Sequence, residues 1–327
     1  MSLLWLAPLG ALLASLIFTL WLTRRSEARH PPIGPIVDVG EAAIHMVERA
    51  AIGPERGVVL LVHGASGNHA DMLAALGAPL SAAGFRVIAV DRPGHAWSWR
   101  RGKRALTSPA RQAALIRAAL ASRGVAQAVV VVHSWAGVLG LAMALEAPSF
   151  ARALVLLAPV SHPWPGGVSW YYTLAATPGL GALFRYLLVA PAGLASMQSA
   201  VRSVFAPGPA PADYIPRTGL PLVLRPGHFL ANALDVVDLK AHVEALAPRY
   251  REIRAPTVIV TGDRDGVVYA HVHSAGCARD IPGAKLVTLE GVGHSPHHCA
   301  TERVVEAIID VERRARAGEA YMETAAG

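Results

Sequence analysis

Four consecutive valines, Val129–Val132, run into His133-Ser134-Trp135-Ala136-Gly137, and there the chain changes period. A β-branched run bounded by a turn signal reads as a strand covered on both faces. The Ala/Leu/Met-rich segment from Trp135 to Leu145 reads as the helix that follows. Ser134 is thereby placed on a strand-to-helix turn. Such a turn lifts a hydroxyl above the C-terminal edge of a parallel sheet and aims the next helix N-terminus at it, the setting an activated nucleophile requires.

The same alternation recurs along the chain. Ile36–Val39 and Ile44–Val47 read as short strands, and Val58–Val62 as a buried one that ends in His63-Gly64-Ala65-Ser66-Gly67-Asn68. A helix over His69–Ala83 leads to the strand Arg86–Val90, which ends in Asp91-Arg92-Pro93-Gly94-His95. A helix near Pro109–Ser122 precedes the valine strand, and Ala153–Leu157 reads as the strand after the next helix. From residue 160 to 248 the alternation breaks into short apolar segments punctuated by proline and glycine, which reads as a helical cap. It resumes with Thr257–Thr261, a helix near Ala270–Asp280, the strand Leu286–Leu289 and a last helix over Thr301–Arg316. The expected fold is α/β, a doubly wound, mostly parallel sheet split by the cap into a core of 36–159 and 249–317, with a tail at 318–327. In such sheets ligands bind outside the strand C-termini.

Ahead of this core, Leu3–Leu22 carries no charged residue and has Trp5 and Trp21 near its ends. A helix of about 20 residues spans the hydrocarbon core of a bilayer, and indole rings favour its interfaces. A cleaved secretory signal would show a basic leader, a shorter apolar core and a small-residue cleavage site, none of which is clear. Residues 1–23 are therefore expected to be a single transmembrane anchor. Residues 24–35, which contain Pro31, Pro32 and Pro35, are expected to be a stiff linker. Arg24, Arg25 and Arg29 follow the anchor at once, which places the domain after it on the cytoplasmic side.

The chain of 327 residues is 53% hydrophobic with a net charge of +7. That is too apolar for disorder and large enough for one α/β domain with an insertion. The positive charge is scattered arginine rather than a basic face with a recognisable module, so nucleic acid is not an expected partner. Cys277 and Cys299 lack metal-ligand or Cys-x-x-Cys spacing.

The stretch around Ser134 resembles the nucleophile elbow of the α/β-hydrolase fold family, Gly-x-Ser-x-Gly. Val132 takes the place of the first small residue, Ala136 that of the second, and Gly137 adds room. The valine is expected to crowd the strand side and push helix and strand apart. A serine hydroxyl needs a base, a carboxylate that orients the base and donors for the oxyanion. The resemblance, which covers residues 36–316, supplies one candidate for each. His294, in Gly291-Val292-Gly293-His294-Ser295-Pro296 after a strand, is the base. Asp265, the fourth residue of Gly262-Asp263-Arg264-Asp265, is the carboxylate, with Asp263 left to cap the turn. The backbone amides of Ala65 and Trp135 are the oxyanion donors. The order Ser134, Asp265, His294 is that of the family.

What the resemblance implies is a serine esterase acting on small apolar esters, with no metal or organic cofactor. Its competitors on the same fold are a thioesterase, a monoacylglycerol lipase, a carbon–carbon hydrolase or a perhydrolase; a competitor of another class is an inactive membrane-bound scaffold. Dehalogenase and epoxide hydrolase chemistry is disfavoured, because those relatives carry aspartate where Ser134 stands. His294, His297 and His298 also form a His-x-x-His-His pattern open to a metal. His63, His95 and His133 read as packing residues. The aromatics Trp164, Trp170, Tyr171, Tyr172, Phe184 and Tyr186 read as cap core that roofs an apolar acyl pocket.

Overall fold

Runs of apolar residues long enough to be covered on both faces leave a chain little choice but a layered sheet, and the computed structural model, which describes residues 6–102 and 104–326, shows one. Its strands are β1 (Ile36–Asp38), β2 (Ala42–Arg49), β3 (Gly57–Val62), β4 (Phe85–Val90), β5 (Trp99–Arg100), β6 (Ala128–His133), β7 (Ala151–Leu157), β8 (Thr257–Gly262) and β9 (Lys285–Leu289). Their order is β1-β2-β4-β3-β6-β7-β8-β9, with β5 beside β2. Pairing is antiparallel at β1 and β2 and parallel from β4 to β9. The valine strand is central: Val132 registers with Val62 on one side and Leu156 on the other.

The helices are α1 (Leu6–Arg29), α2 (His69–Ala82), α3 (Pro109–Ala121), α4 (Ala136–Glu146), α5 (Trp170–Ala176), α6 (Leu180–Phe184), α7 (Ala190–Phe205), α8 (Tyr214–Thr218), α9 (Pro226–Leu246), α10 (His273–Asp280), α11 (Pro296–Cys299) and α12 (Thr301–Ala326). Alternate residues of the strands feed two cores, as a period of two demands. Leu60, Val62, Val130, Val132 and Leu156 pack with α3, α4 and α9. Val59, Leu61, Val129, Val131 and Leu157 pack with α2 and α12.

Several elements differ from the sequence-based expectation. The stretch 24–35 is not an extended linker throughout, because α1 continues unbroken to Arg29. Arg24–Arg29 are adequate helix formers, Leu22 and Ser26 are buried, and the first proline comes only at Pro31. The last helix likewise runs past Arg316, through the stretch expected as a tail, to Ala326. Within 160–248, α9 starts at Pro226 instead of near Val236, since proline is at home in the first turn of a helix. Its Val236, Leu239 and Val243 belong to the main core, so this part of the insertion is fused to the sheet.

Val132 does not push helix and strand apart. The space for its isopropyl group comes from Gly140, on the facing side of α4: a Cβ there would lie 2.8 Å from Val132 Cγ2 and 3.0 Å from Cγ1. Bulk on the strand is matched by its absence on the helix. An exposed helical Gly→Ala change gains about 1 kcal/mol from propensity. Here overpacking reverses the sign: Gly140→Ala is expected to cost about 1–3 kcal/mol in urea unfolding. Val132→Ala in the same chain should recover part of that loss.

Candidate active site

Ser134 follows β6 directly and holds φ at +55°, a left-handed conformation that costs a non-glycine residue about 1–3 kcal/mol unless its surroundings impose it. Three hydrogen bonds impose it. The Ser134 amide donates to Leu157 O at 2.9 Å, and its carbonyl accepts from Gly137 N at 2.8 Å and Val160 N at 2.9 Å. The hydroxyl is thereby turned off the strand toward the loop after β9. His294 Nε2 lies 2.9 Å from Ser134 Oγ, and His294 Nδ1 lies 2.8 Å from Asp265 Oδ2. Asp265 spends its other oxygen on the amides of Val267 and Val268, at 2.8 and 2.9 Å, which fixes the carboxylate and leaves Oδ2 to the imidazole. The three side chains are thus one hydrogen-bonded relay, with Ser134 9% and His294 4% exposed. Asp263 takes a different part: its Oδ1 accepts from Gly291 N at 2.7 Å, so it joins the Asp265 loop to the start of the His294 loop.

Ala65 and Trp135 flank this relay through the backbone. A Cβ on Gly64 would lie 2.8 Å from Ser134 Cβ, so only glycine lets the turn after β3 come this close to the elbow. Trp135 opens α4 at its N-terminal end, where amides point away from the helix unpaired. Among the described residues neither the Ala65 nor the Trp135 amide has a hydrogen-bond partner within the protein. The next residue, Ser66, is clasped by Asn232 of α9: Ser66 N donates to Asn232 Oδ1 at 2.8 Å and Asn232 Nδ2 donates to Ser66 Oγ at 3.0 Å.

Beneath both donors sits Arg92, fully buried. Its Nη1 reaches Asp235 Oδ2 of α9 at 2.7 Å and Gln112 Oε1 at 3.2 Å. Its Nη2 reaches Gly64 O at 3.3 Å and His95 Nε2 at 3.0 Å. The guanidinium also lies over the Trp135 ring, 3.9 Å from the centroid, and Trp135 Nε1 donates to Asp235 O at 3.0 Å. Burial pushes Arg92 down to about 10, so it remains a cation at neutral pH beside Asp235. One charge pair therefore sets the Gly64 turn, the indole next to Ser134 and α9 against one another. The sequence did not single out Arg92, Asp235 or Asn232. The available signal was charged and amide residues at apolar spacing within a helix, Asn232 and Asp235 among the buried positions of α9.

His63, His95 and His133 are buried and bonded, as packing residues. His63 Nε2 accepts from Arg92 N at 3.0 Å, so its Nδ1–H donates to Gly64 O at 2.8 Å. His133 Nε2 contacts His294 O at 2.9 Å. Burial and the Arg92 charge push His63 down to about 3, and burial before all else pushes His95 and His133 well below their ordinary value.

The His-x-x-His-His pattern acquires a carboxylate that its sequence neighbourhood lacks. Asp71 of α2 lies 3.3 Å from His297 Nε2 and 3.0 Å from His298 Nε2, and also accepts from Tyr214 Oη at 2.9 Å. Burial raises Asp71, and the two imidazoles outweigh that and hold it well below the usual carboxylate range. His45 and His69 bracket Asp91 in the same way, at 2.7 and 2.9 Å. Both are sets of two histidines and a carboxylate that could hold a transition metal. Asp91 is already saturated by the amides of His69 and Trp97. In both, carboxylate–imidazole hydrogen bonds brace loops at the strand ends.

Residues 57–299 match the model of the α/β-hydrolase fold family. The chain belongs to the α/β-hydrolase family. Among curated proteins, none matches the sequence. Solved structures do. A membrane phospholipase A described as a bacterial virulence factor is 20% identical, with a TM-score of 0.66 over 96% of this chain and 97% of its own. A hydrolase from Pseudomonas aeruginosa PA01 is 20% identical, with a TM-score of 0.69 over 86% and 99%. An enol-lactonase from Burkholderia xenovorans LB400 is 20% identical, with a TM-score of 0.63 over 85% and 99%. At these identities the likeness is one of fold.

Removing one partner of a buried pair strands the other charge. Asp235→Ala is expected to destabilise this hydrolase-family domain by about 3–5 kcal/mol, and Asp235→Ala with Arg92→Met by clearly less, both read from urea midpoints. His63, His95 and His133 bind protons more weakly folded than unfolded, because burial penalises their charged forms. Their contribution is therefore intact above about pH 6.5 and is lost as pH falls below it, at up to about 1.4 kcal/mol per pH unit for each. Unfolding midpoints should drop from about pH 6.5 downward, and His63→Gln should flatten that dependence.

Proposed function

We propose that this protein is a membrane-anchored serine hydrolase that cleaves carboxylic esters of apolar acyl groups. The observation that carries the reading is the relay Ser134–His294–Asp265, at 2.9 and 2.8 Å. Ser134 Oγ attacks the ester carbonyl while His294 Nε2 takes its proton. The negative charge that grows on the carbonyl oxygen is met by the Ala65 and Trp135 amides, each such donor being worth about 3 kcal/mol in the transition state. His294 then protonates the departing alkoxide, and water, deprotonated by the same nitrogen, releases the acid and restores Ser134. Asp265 holds the imidazole with its Nδ1–H toward the carboxylate and its Nε2 toward the serine.

An apolar substrate is favoured by the aromatic roof beside the oxyanion turn. Tyr172 Oη lies 3.4 Å from Ser66 Oγ, and its ring stacks on Phe229 at 6.1 Å. The anchor reading is supported by the stretch Ala7–Arg29 of α1, which is of membrane-spanning length and has 11% of its apolar window buried. The match to the membrane phospholipase, at 96% of this chain, is broader than the core after the anchor could supply by itself. Arg24, Arg25 and Arg29 argue for a cytoplasmic domain.

Ser134→Ala and His294→Ala should each lower turnover of p-nitrophenyl esters by at least about 10³-fold, and the double variant little further, because the two act as one unit. A fluorophosphonate should label Ser134 in the unmodified chain and not in His294→Ala. Turnover across graded acyl lengths should peak beyond acetate. A flat zero at every length, with Ser134 unlabelled, would rule out the enzyme and favour a binding scaffold. A reporter fused after Gly327 should be active in the cytoplasm only.

A further inference from the structure

The N-terminal helix is packed along the insertion, and the polarity of its partners changes in step with its own. Ser15 Oγ donates to Leu187 O. Phe18 and Leu22 sit among Val189, Ala190, Met197, Val223 and Leu224. Farther on, Arg225 pairs with Glu27 at 3.0 Å, and Trp97 Nε1 donates to His30 O at 2.9 Å. Apolar groups face the apolar part of α1, and charges face its polar end.

This packing fixes a depth. A helix rises 1.5 Å per residue, so Ser15 lies about 10 Å from Leu22 toward the helix N-terminus. If the uncharged run that ends at Leu22 lies in hydrocarbon, the segment bonded to Ser15 lies in hydrocarbon with it. That segment is composed for such a place. From Leu180 to Val201 its sole charged residue is Arg185, which is buried and donates inward to Ala175 O. Leu183, Leu188 and Leu194 point outward and exposed, Leu183 at 63%, and Trp170 is 69% exposed beside them. The face of α1 turned away from the insertion also exposes Leu9, Leu12, Leu13 and Ile17. Together these make an apolar surface of a kind that marks contact with protein or lipid. Its depth along α1 selects lipid. A cavity of about 780 Å³ among α1, the loop after β4 and the insertion is lined by Glu27, Trp97 and Arg225 at the polar end of α1 and by Leu20, Arg185 and Tyr186 beside them, so groups suited to the headgroup level adjoin the apolar segment.

We propose that the insertion is itself embedded in the membrane: α6, the single π-helical turn Arg185–Val189 and the start of α7 lie beside α1 in the acyl region of one leaflet. The insertion whose Tyr172 lies 3.4 Å from Ser66 Oγ then touches lipid. This rests on the anchor reading above and adds to it an in-plane contact by residues remote from the anchor.

The test uses the full chain carrying Cys299→Ser, with buried Cys277 retained, and single cysteines at Leu9, Leu183, Leu188 or Ile52, each labelled with an environment-sensitive fluorophore. Ile52 is exposed in the loop before β3, at the strand ends opposite Ser134. The chains are reconstituted into vesicles of phosphatidylcholine and phosphatidylglycerol, with or without bromine on the acyl chains. The expected result is quenching by the brominated lipid at Leu9, Leu183 and Leu188 and none at Ile52. Quenching at Leu9 with Leu183 and Leu188 as water-exposed as Ile52 overturns the proposal and leaves the anchor standing. No quenching at Leu9 overturns both. Turnover of p-nitrophenyl butyrate by the same vesicles reads the serine chemistry separately, so a failure of insertion is distinguished from a failure of the hydrolase reading.

Discussion

A guanidinium with no access to water has to find its counter-charge and its hydrogen-bond acceptors within the fold, and the way Arg92 does so organises the region around Ser134. It draws Asp235 from α9, Gln112 from α3, the carbonyl of Gly64 and the ring of His95, and it keeps one face for Trp135. Each partner comes from a different segment, so the pair is the place where the insertion, the turn at Ser134 and the turn at Gly64 are set to a common geometry. Hydrophobic packing brings these segments near one another without specifying their register. Directional bonds to a buried cation supply the register, because misplacing any one of them leaves a desolvated charge short of a partner.

The remaining titratable groups follow the same logic at smaller scale. Asp71 and Asp91 are buried carboxylates, each held between two imidazoles, and both stand near strand ends where long loops meet. Asp71 ties α2 to the segment that follows His294 and, through Tyr214, to α8. His133 contacts the carbonyl of His294. The loop that carries the imidazole of the relay is therefore held on several sides by neutral or paired groups, and few stray charges are left near Ser134.

The centre of the sheet was legible in the sequence because β3, β4, β6, β7 and β8 are buried on both faces, and such burial writes an unbroken apolar run that needs no knowledge of the partner. The positions of Ser134 and Asp265 were legible for a related reason: each stands just past such a run, while His294 follows the more exposed edge strand β9, and parallel strands bring their C-terminal ends to one rim. What was not legible depends on contacts between segments. The room for Val132 is made by a glycine on the next helix, and the sequence around the serine alone suggested crowding. The acid that joins His297 and His298 comes from α2, more than two hundred residues earlier in the chain. Asp235 is 143 positions from Arg92, inside a stretch that reads as irregular. The continuation of α1 through Arg24–Arg29 was hidden behind prolines that act only from Pro31 onward.

Because α9 carries Asn232 and Asp235 under the site and begins beside Arg225, which grips Glu27 of α1, the first helix and the floor of the site are joined through a single stiff rod. The domain has no swivel at its root. The direction in which α1 points is set by the fold rather than by a slack tether, so the serine keeps one fixed bearing to that helix.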